Sequence, residues 1–558
     1  MTATLSNSSF AGPRAWLACA CCVLALCAPA AGQRRRAEAA QKPAAGPGRR
    51  GGGADSALLR EAAELLRAGR LEEALAAARR ASGAAPQDAD ARALLGLILE
   101  QAGRRDEAER ELREAVRLDP KSAAALTNLG VLLSQSGRDD EAAKLFERAL
   151  AHSPAYAQAA YNLAVLYVAR KDYARALPHL ERLAAAGGGA GAADLPLLLT
   201  LADAYARAGR AQEAARVADA VEGRAASDPR VLFTLGLALA GAGSYERAAR
   251  LFEATNRLRP RTYEVLYNLG VALFNLDRLE EAERALRDAA ALKADEPEVF
   301  FRLGLVASAR GRGDEAVGFW QRAASLRASY PEAHFMTAEE FAKNRRADAA
   351  VPFYERAIEQ DPAQPVYYTR LGVAHFRGRR YREARAAFER GLARFPDDGS
   401  LTYLAGYAAR AEGEFDLAAK YFRRAVELQP DNAPAYASLG FLTGERGQHE
   451  EAERLLRRAL ALDPENFPAT YDLGRLLVRL KRYGDALPLL ERGARLGTRD
   501  PGVHYQLFLA YSRLGRKSDA ERELATFKSL EEARKAADAG GAPPAKPGEE
   551  ELPPPPGE

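Results

Sequence analysis

The sequence predicts an all-α solenoid, a long stack of helix-turn-helix units without a single core, and three observations predict it. Alanine recurs every 34 residues at Ala74, Ala108, Ala142 and Ala176. After a slip of four residues it recurs again at Ala214, Ala248, Ala282, Ala316, Ala350, Ala384, Ala418, Ala452, Ala486 and Ala520. Around each alanine, apolar residues fall at helical spacing in two short segments parted by a turn. The chain has 558 residues, too many for one compact core, whereas a stack grows freely because each unit buries only its neighbours' faces. A fixed period of this length is the signature of a repeat architecture. It moves the question of function from a pocket to an extended surface.

The elements follow in chain order. Residues 1–30 read as a secretory signal peptide: Arg14, an apolar run from Ala15 to Ala28, then the small residues Ala28-Pro29-Ala30. The run is shorter than the roughly 20 residues a membrane span needs. All four cysteines (Cys19, Cys21, Cys22 and Cys27) sit inside it, so the processed chain carries no disulfide or thiolate chemistry. Leu26 before Cys27 argues against a lipid anchor on that cysteine. The expected location is therefore periplasmic or secreted, with no integral span after cleavage, although the positive charge of Arg34, Arg35 and Arg36 opposes export. Residues 31–54 are a Gly/Pro/Arg-rich linker.

Four units then run over 55–190. The second, from Ala89 to Ser122, shows the construction: Leu95, Gly96 and Leu99 on a first helix, Gly103 at its stop, Ala108, Leu112 and Ala115 on a second helix, and Pro120 near its close. Glycine holds the place of Gly103 in nine units (Gly69, Gly103, Gly137, Gly209, Gly243, Gly311, Gly413, Gly447 and Gly515), because a left-handed residue ends a helix and glycine adopts that conformation cheaply. Lys171, Asp277, Arg345, Arg379 and Lys481 stand there in the other five. With Ala89 counted as first, the eighth place is glycine or alanine in every unit but the last, where Phe508 stands. The expectation is that this small residue faces the recurrent alanine, small against small, so that the two helices approach closely. The segment 184–194, Gly/Ala-rich, is either a longer loop in a continuous stack or a joint between two arrays. Asp194, Leu195 and Pro196 restart the helix pattern, and ten units follow without insertion over 195–534. The last helix runs on through 531–539, and 535–558 is read as a disordered Pro/Glu-rich tail.

The spacing of these residues, carried best by Asn128-Leu129-Gly130, Asn268-Leu269-Gly270, Asp119-Pro120, Asp463-Pro464 and Ala418 with Phe422 and Ala425, resembles the tetratricopeptide repeat (TPR). The resemblance covers about Asp55 to Arg534. It implies a right-handed α-solenoid, or superhelix, of about fourteen 34-residue units, and a role in binding other proteins. The tryptophan often found at the fourth place of the family's unit is absent, and the closing proline is missing at Ala226, Ala294 and Ala328.

Charge and chemistry narrow the function. Eighty basic residues face 76 acidic ones, and the array itself is near neutral, so no basic face for nucleic acid is expected. No phosphate-cradling loop, paired-histidine metal motif or nucleophile constellation occurs, and no cofactor is implied. His334, His375 and His504 replace apolar framework residues and read as core histidines. The one functional signal is a lane. In the family's fold the first helices line the concave side, so equivalent places form a ladder. The fifth place gives Tyr161, Phe233, Tyr267, Phe301, Phe335, Tyr403, Tyr471 and Tyr505, and the sixth gives Asn128, Asn162 and Asn268. Rings supply rigid contact area, and asparagine donates to and accepts from a peptide backbone at once. The expectation is a non-catalytic scaffold in the cell envelope that binds an extended peptide or partner protein along this groove. Two other readings are a structural subunit of an envelope export or assembly machine and an accessory targeting module for a separate glycosyltransferase.

Overall fold

The computed structural model describes residues 55–187, 194–497 and 500–539. The signal peptide, the linker and the chain from 540 onward lie outside the described residues, as does 188–193 of the 184–194 segment. The chain forms two compact units, up to Arg278 and from Leu279. The first holds α1 Asp55–Arg67, α2 Leu71–Ala84, α3 Ala89–Gln101, α4 Arg105–Leu118, α5 Ala123–Gln135, α6 Asp139–His152, α7 Ala157–Ala169, α8 Tyr173–Ala186, α9 Leu195–Arg207, α10 Ala211–Ala225, α11 Pro229–Gly241, α12 Tyr245–Leu258 and α13 Tyr263–Asn275. The second holds α14 Leu279–Leu292, α15 Pro297–Ala309, α16 Gly313–Leu326, α17 Pro331–Lys343, α18 Ala347–Gln360, α19 Pro365–Arg377, α20 Tyr381–Leu392, α21 Gly399–Glu412, α22 Phe415–Leu428, α23 Ala433–Glu445, α24 His449–Leu462, α25 Phe467–Arg479, α26 Tyr483–Leu496, α27 Pro501–Arg513 and α28 Lys517–Ala539. Odd numbers are first helices and even numbers second helices. Helix α28 takes in 535–539, the first five residues assigned from sequence to the tail.

Each turn inside a repeat needs a residue in the left-handed region, and the structure places one there regardless of residue type. The nine turn glycines have φ between 74° and 88°, and Lys171, Asp277, Arg345, Arg379 and Lys481 are held at 57° to 62°. Side chains without glycine's freedom pay roughly 1–2 kcal/mol at such a place. Tertiary packing overrides that local preference. At the other end of the repeat, Asp88, Ser122, Asp228, Asp398, Asn432 and Asn466 cap the next first helix by accepting from its free backbone N–H groups.

All fourteen recurrent alanines are buried, thirteen of them with no exposed surface. The eighth-place residue has a different partner from the one expected. A Cβ built on Gly96 would lie 2.6 Å from Leu112, on Gly130 2.6 Å from Phe146, on Gly304 2.4 Å from Trp320 and on Gly372 2.3 Å from Phe388. The contact is small against large: the glycine receives the side chain four residues beyond the alanine, one helical turn further on. A side chain leans back toward its helix's N-terminus, so the facing register is one turn away from a count along the sequence.

Neighbouring repeats are tied by a recurrent polar seam. Tyr167, Tyr205 and Tyr511, at the eleventh place, donate to Glu147, Glu181 and Glu491 of the preceding repeat at 2.7–2.9 Å. Arg138, Arg312 and Arg482, just before a second helix, reach back to Glu109, Glu283 and Glu453 of the preceding repeat and also pair with an acid at the start of their own second helix. The acidic turns therefore answer both the helix dipole and an arginine. Around 188–193 the seam persists, since Glu181 accepts from both Tyr205 and Arg210 of the following repeat.

Candidate protein-binding face

Successive first helices touch one another within each unit, as α5 does α7 and α11 does α13 in the first, and α23 does α25 and α25 does α27 in the second. The lane residues thus belong to adjoining helices. Their exposure separates them into two groups.

In the first unit the lane is accessible. Tyr161, Phe233 and Tyr267 are half-buried, as are Asn128, Asn162 and Asn268. The Tyr161 hydroxyl lies 3.4 Å from Thr200 Oγ1 on the next first helix. Phe233 leans on Phe252 at 5.7 Å between ring centres, and Tyr267 stacks on Tyr263 at 5.8 Å. Asn268 Nδ2 donates to the Glu264 carbonyl one turn back, which leaves its Oδ1 to accept. Asn162 shows the opposite arrangement: its Oδ1 accepts from Gln158, while its Nδ2 is buried and unpartnered. Such a group costs about 1–3 kcal/mol unless something accepts from it.

In the second unit the lane is broken. Phe335 and Tyr403 are 5% and 2% exposed and cannot touch a partner, which corrects the sequence expectation for these two. Phe335 is covered by Tyr367 of the next first helix, ring centres 4.9 Å apart, and also meets Tyr354. Tyr403 packs on Phe422 and Tyr407 inside a helix buried over nine consecutive residues, 401–409. Phe301, Tyr471 and Tyr505 remain accessible. Phe301 stacks on Tyr330 and Tyr471 on Phe467, where burial raises the Tyr471 hydroxyl above its ordinary value. Sequence reasoning missed the arginines over the ninth-place aromatic rings of the second unit. Arg410 lies 4.6 Å from the centre of Tyr407, and Arg475 5.2 Å from Phe441. The ninth place, carrying Tyr407, Phe441 and Arg475 in consecutive repeats, is the signal that could have found them.

Other chemistry is structural. His334 and His375 are half-buried with their basicity lowered, first by burial, and His504 is buried with Nδ1 2.8 Å from Glu523. Among the described residues, no group of three or more His, Cys, Asp or Glu could hold a metal ion, and no helix is long and apolar enough to cross a membrane. An open depression of about 740 Å³ in the first unit is lined by Arg170, Lys171, Tyr173, Pro178, Glu181 and Arg210 among others. Its arginines are engaged: Arg210 pairs with Glu181 and Arg170 with Asp140.

Tetratricopeptide repeat profiles match residues 59–123, 95–154 and 369–433, 133–195 and 445–504, and 421–454. A profile of the C-terminal domain of cilia and flagella-associated protein 70, itself built of such repeats, matches 179–394. The chain belongs to the tetratricopeptide repeat family, and its fold is that of a protein-interaction scaffold. Comparison with curated proteins finds no match. Among solved structures, it is similar to the C-terminal part of a TPR repeat-containing protein from Cytophaga hutchinsonii, with 18% identity over 43% of this chain and 99% of that one at a TM-score of 0.40. It is similar to yeast Tom70, with 16% identity over 81% and 99% at a TM-score of 0.30. It is also similar to the Cut9-Hcn1 assembly of the APC/C, with 13% identity over 82% and 96% at a TM-score of 0.32.

Proposed function

We propose that the first-helix face of the unit ending at Arg278 binds an extended segment of a partner protein, and that it does so in the cell envelope after removal of residues 1–30. The observation that carries the binding reading is the buried, unpartnered Nδ2 of Asn162 beside the half-buried ring of Tyr161. That atom has no exposed surface, so a peptide carbonyl would accept from it once the amide turns outward. Asn268, with its amide nitrogen used internally, offers the complementary acceptor for a peptide N–H. Tyr161, Phe233 and Tyr267 supply rigid area between these polar points.

The test is capture of a partner from an envelope extract, followed by affinity measurement on variants. Tyr161→Ala with Tyr267→Ala should weaken binding tenfold or more, at about 1 kcal/mol or more per anchor. Asn162→Ala should cost less. The exposed second-helix changes Arg148→Ala and Arg250→Ala should leave affinity unchanged. Retained affinity in a folded double-tyrosine variant would make this face framework only.

The export reading rests on the apolar run 15–28 and Ala28-Pro29-Ala30. N-terminal sequencing of protein from its native host should find a start near Ala31. An intact Met1 in a cytoplasmic fraction would reject it.

A further inference from the structure

The last repeat departs from the repeat rule at two places at once. At the place seven residues beyond the recurrent alanine, the second unit carries Ala323, Ala357, Gly391, Ala425, Ala459 and Gly493, and then Phe527. The small residues are there because first helices press on them from both sides: a Cβ on Gly391 would lie 2.9 Å from Leu401 of the next first helix and 3.0 Å from Tyr368 of its own repeat's first helix. The eighth place, glycine or alanine elsewhere, is Phe508. Both phenylalanines are on the last two described helices, and residues 540–558 carry no repeat signature. Together with Tyr505 they make one aromatic face. Tyr505 lies 5.3 Å from Phe527 and 6.2 Å from Phe508 between ring centres. Tyr505 is 40% exposed and the two phenylalanines are half-buried.

The chemistry of the following sequence fits this face. Residues 540–558 read GGAPPAKPGEEELPPPPGE, in which three glutamates are followed by Leu552, four consecutive prolines and Gly557-Glu558. Proline-rich segments take up an extended left-handed helix whose rings stack on aromatic grooves with little ordering cost. The exposed cations Lys528 and Arg513 are on the same two helices as the face. They complement Glu549, Glu550 and Glu551. The reach is sufficient. Ala539 is roughly 18 Å along the helix from Phe527, and the twelve residues 540–551 span up to roughly 40 Å.

We propose that residues 552–556 dock on the face formed by Tyr505, Phe508 and Phe527 of the same chain. Tethering gives the segment an effective concentration on the order of 1 mM. Even a dissociation constant of roughly 0.1–1 mM then slows local opening by about two- to tenfold.

The test compares the full chain with a full-length variant in which Pro553, Pro554, Pro555 and Pro556 are all replaced by serine. Hydrogen exchange is followed over 503–510 and 524–530. The serine variant should exchange about two- to tenfold faster in both segments, by the same factor at every protein concentration. A synthetic peptide of residues 540–558, added to the serine variant at about 1 mM, should restore protection, and its tetraserine counterpart should not. In Tyr505→Ser, whose native fold is checked by circular dichroism, the tail substitution should change nothing. Equal exchange in the full chain and the serine variant overturns the proposal. So does protection that grows with protein concentration, which would make a second copy the occupant, and so does an undiminished tail effect in Tyr505→Ser.

Discussion

Gly304→Ala tests the small-against-large register at its tightest point. The new methyl carbon would sit 2.4 Å from Trp320 Nε1, 2.6 Å from Cδ1 and 2.7 Å from Cε2. Comfortable carbon contacts lie near 3.5–4.0 Å, so the indole must withdraw by about 1 Å. Trp320 has no exposed surface, so the displaced ring must push on its neighbours. Withdrawal also stretches the hydrogen bond from Nε1 to the Phe301 carbonyl, now 3.2 Å. Overpacking costs about 1–3 kcal/mol and the weakened hydrogen bond up to about 1 kcal/mol. Against these stands about 1 kcal/mol gained by replacing glycine inside a helix. The expected result is a net loss of up to about 3 kcal/mol, read from urea unfolding followed by circular dichroism. A second substitution sharpens the test. The fourth repeat naturally pairs Ala164 with Leu180, both buried, so adding Trp320→Leu should lower the cost of Gly304→Ala. A Gly304→Ala protein at least as stable as the parent, or equal costs with and without Trp320→Leu, would refute the register.

Two further outcomes follow from local features. Arg379 is held at φ 59° although a glycine, Gly378, immediately precedes it; Arg379→Gly should raise stability by about 1 kcal/mol, and an unchanged urea midpoint would show that the arginine is not strained there. His334 and His375 have folded basicity below the ordinary value of 6.5, first because of burial and then because of Arg356 and Arg380 respectively. His375 Nδ1 is also buried without a partner. As pH falls below about 6.5, the unfolded chain takes up protons that the folded chain resists, so stability is present above that pH and declines below it. Between pH 7.5 and 5.5 the second unit's midpoint should fall less in His334→Gln with His375→Gln than in the parent, and an identical fall would assign the loss to other groups.

The repeat frame was legible because it rests on residues that each act within one unit. The alanine places, the turn places and the helix caps all obey local rules, and the period multiplies each signal fourteen times. What escaped depends on the neighbouring unit. Phe335 and Tyr267 occupy the same place in their repeats, yet one is buried and the other half-exposed. The difference is Tyr367, a large residue at the third place of the following repeat, where Ala91, Ala125 and Ala159 stand elsewhere. Tyr403 is hidden by a helix packed on all sides. The facing register of the eighth place was misjudged for a related reason: the direction of the side chain, more than the count between residues, selects the partner.

The hydrogen bonds at the repeat seams have a mechanical consequence. Tension applied along the second unit loads Tyr511 with Glu491 and Arg482 with Glu453 in series, since each ties only two adjacent repeats. The weakest seam should therefore yield first and release a whole repeat. Each 34-residue repeat so released adds up to about 115 Å of contour length. Such a chain gives way in steps, lengthening under strain while the repeats still folded keep their surfaces.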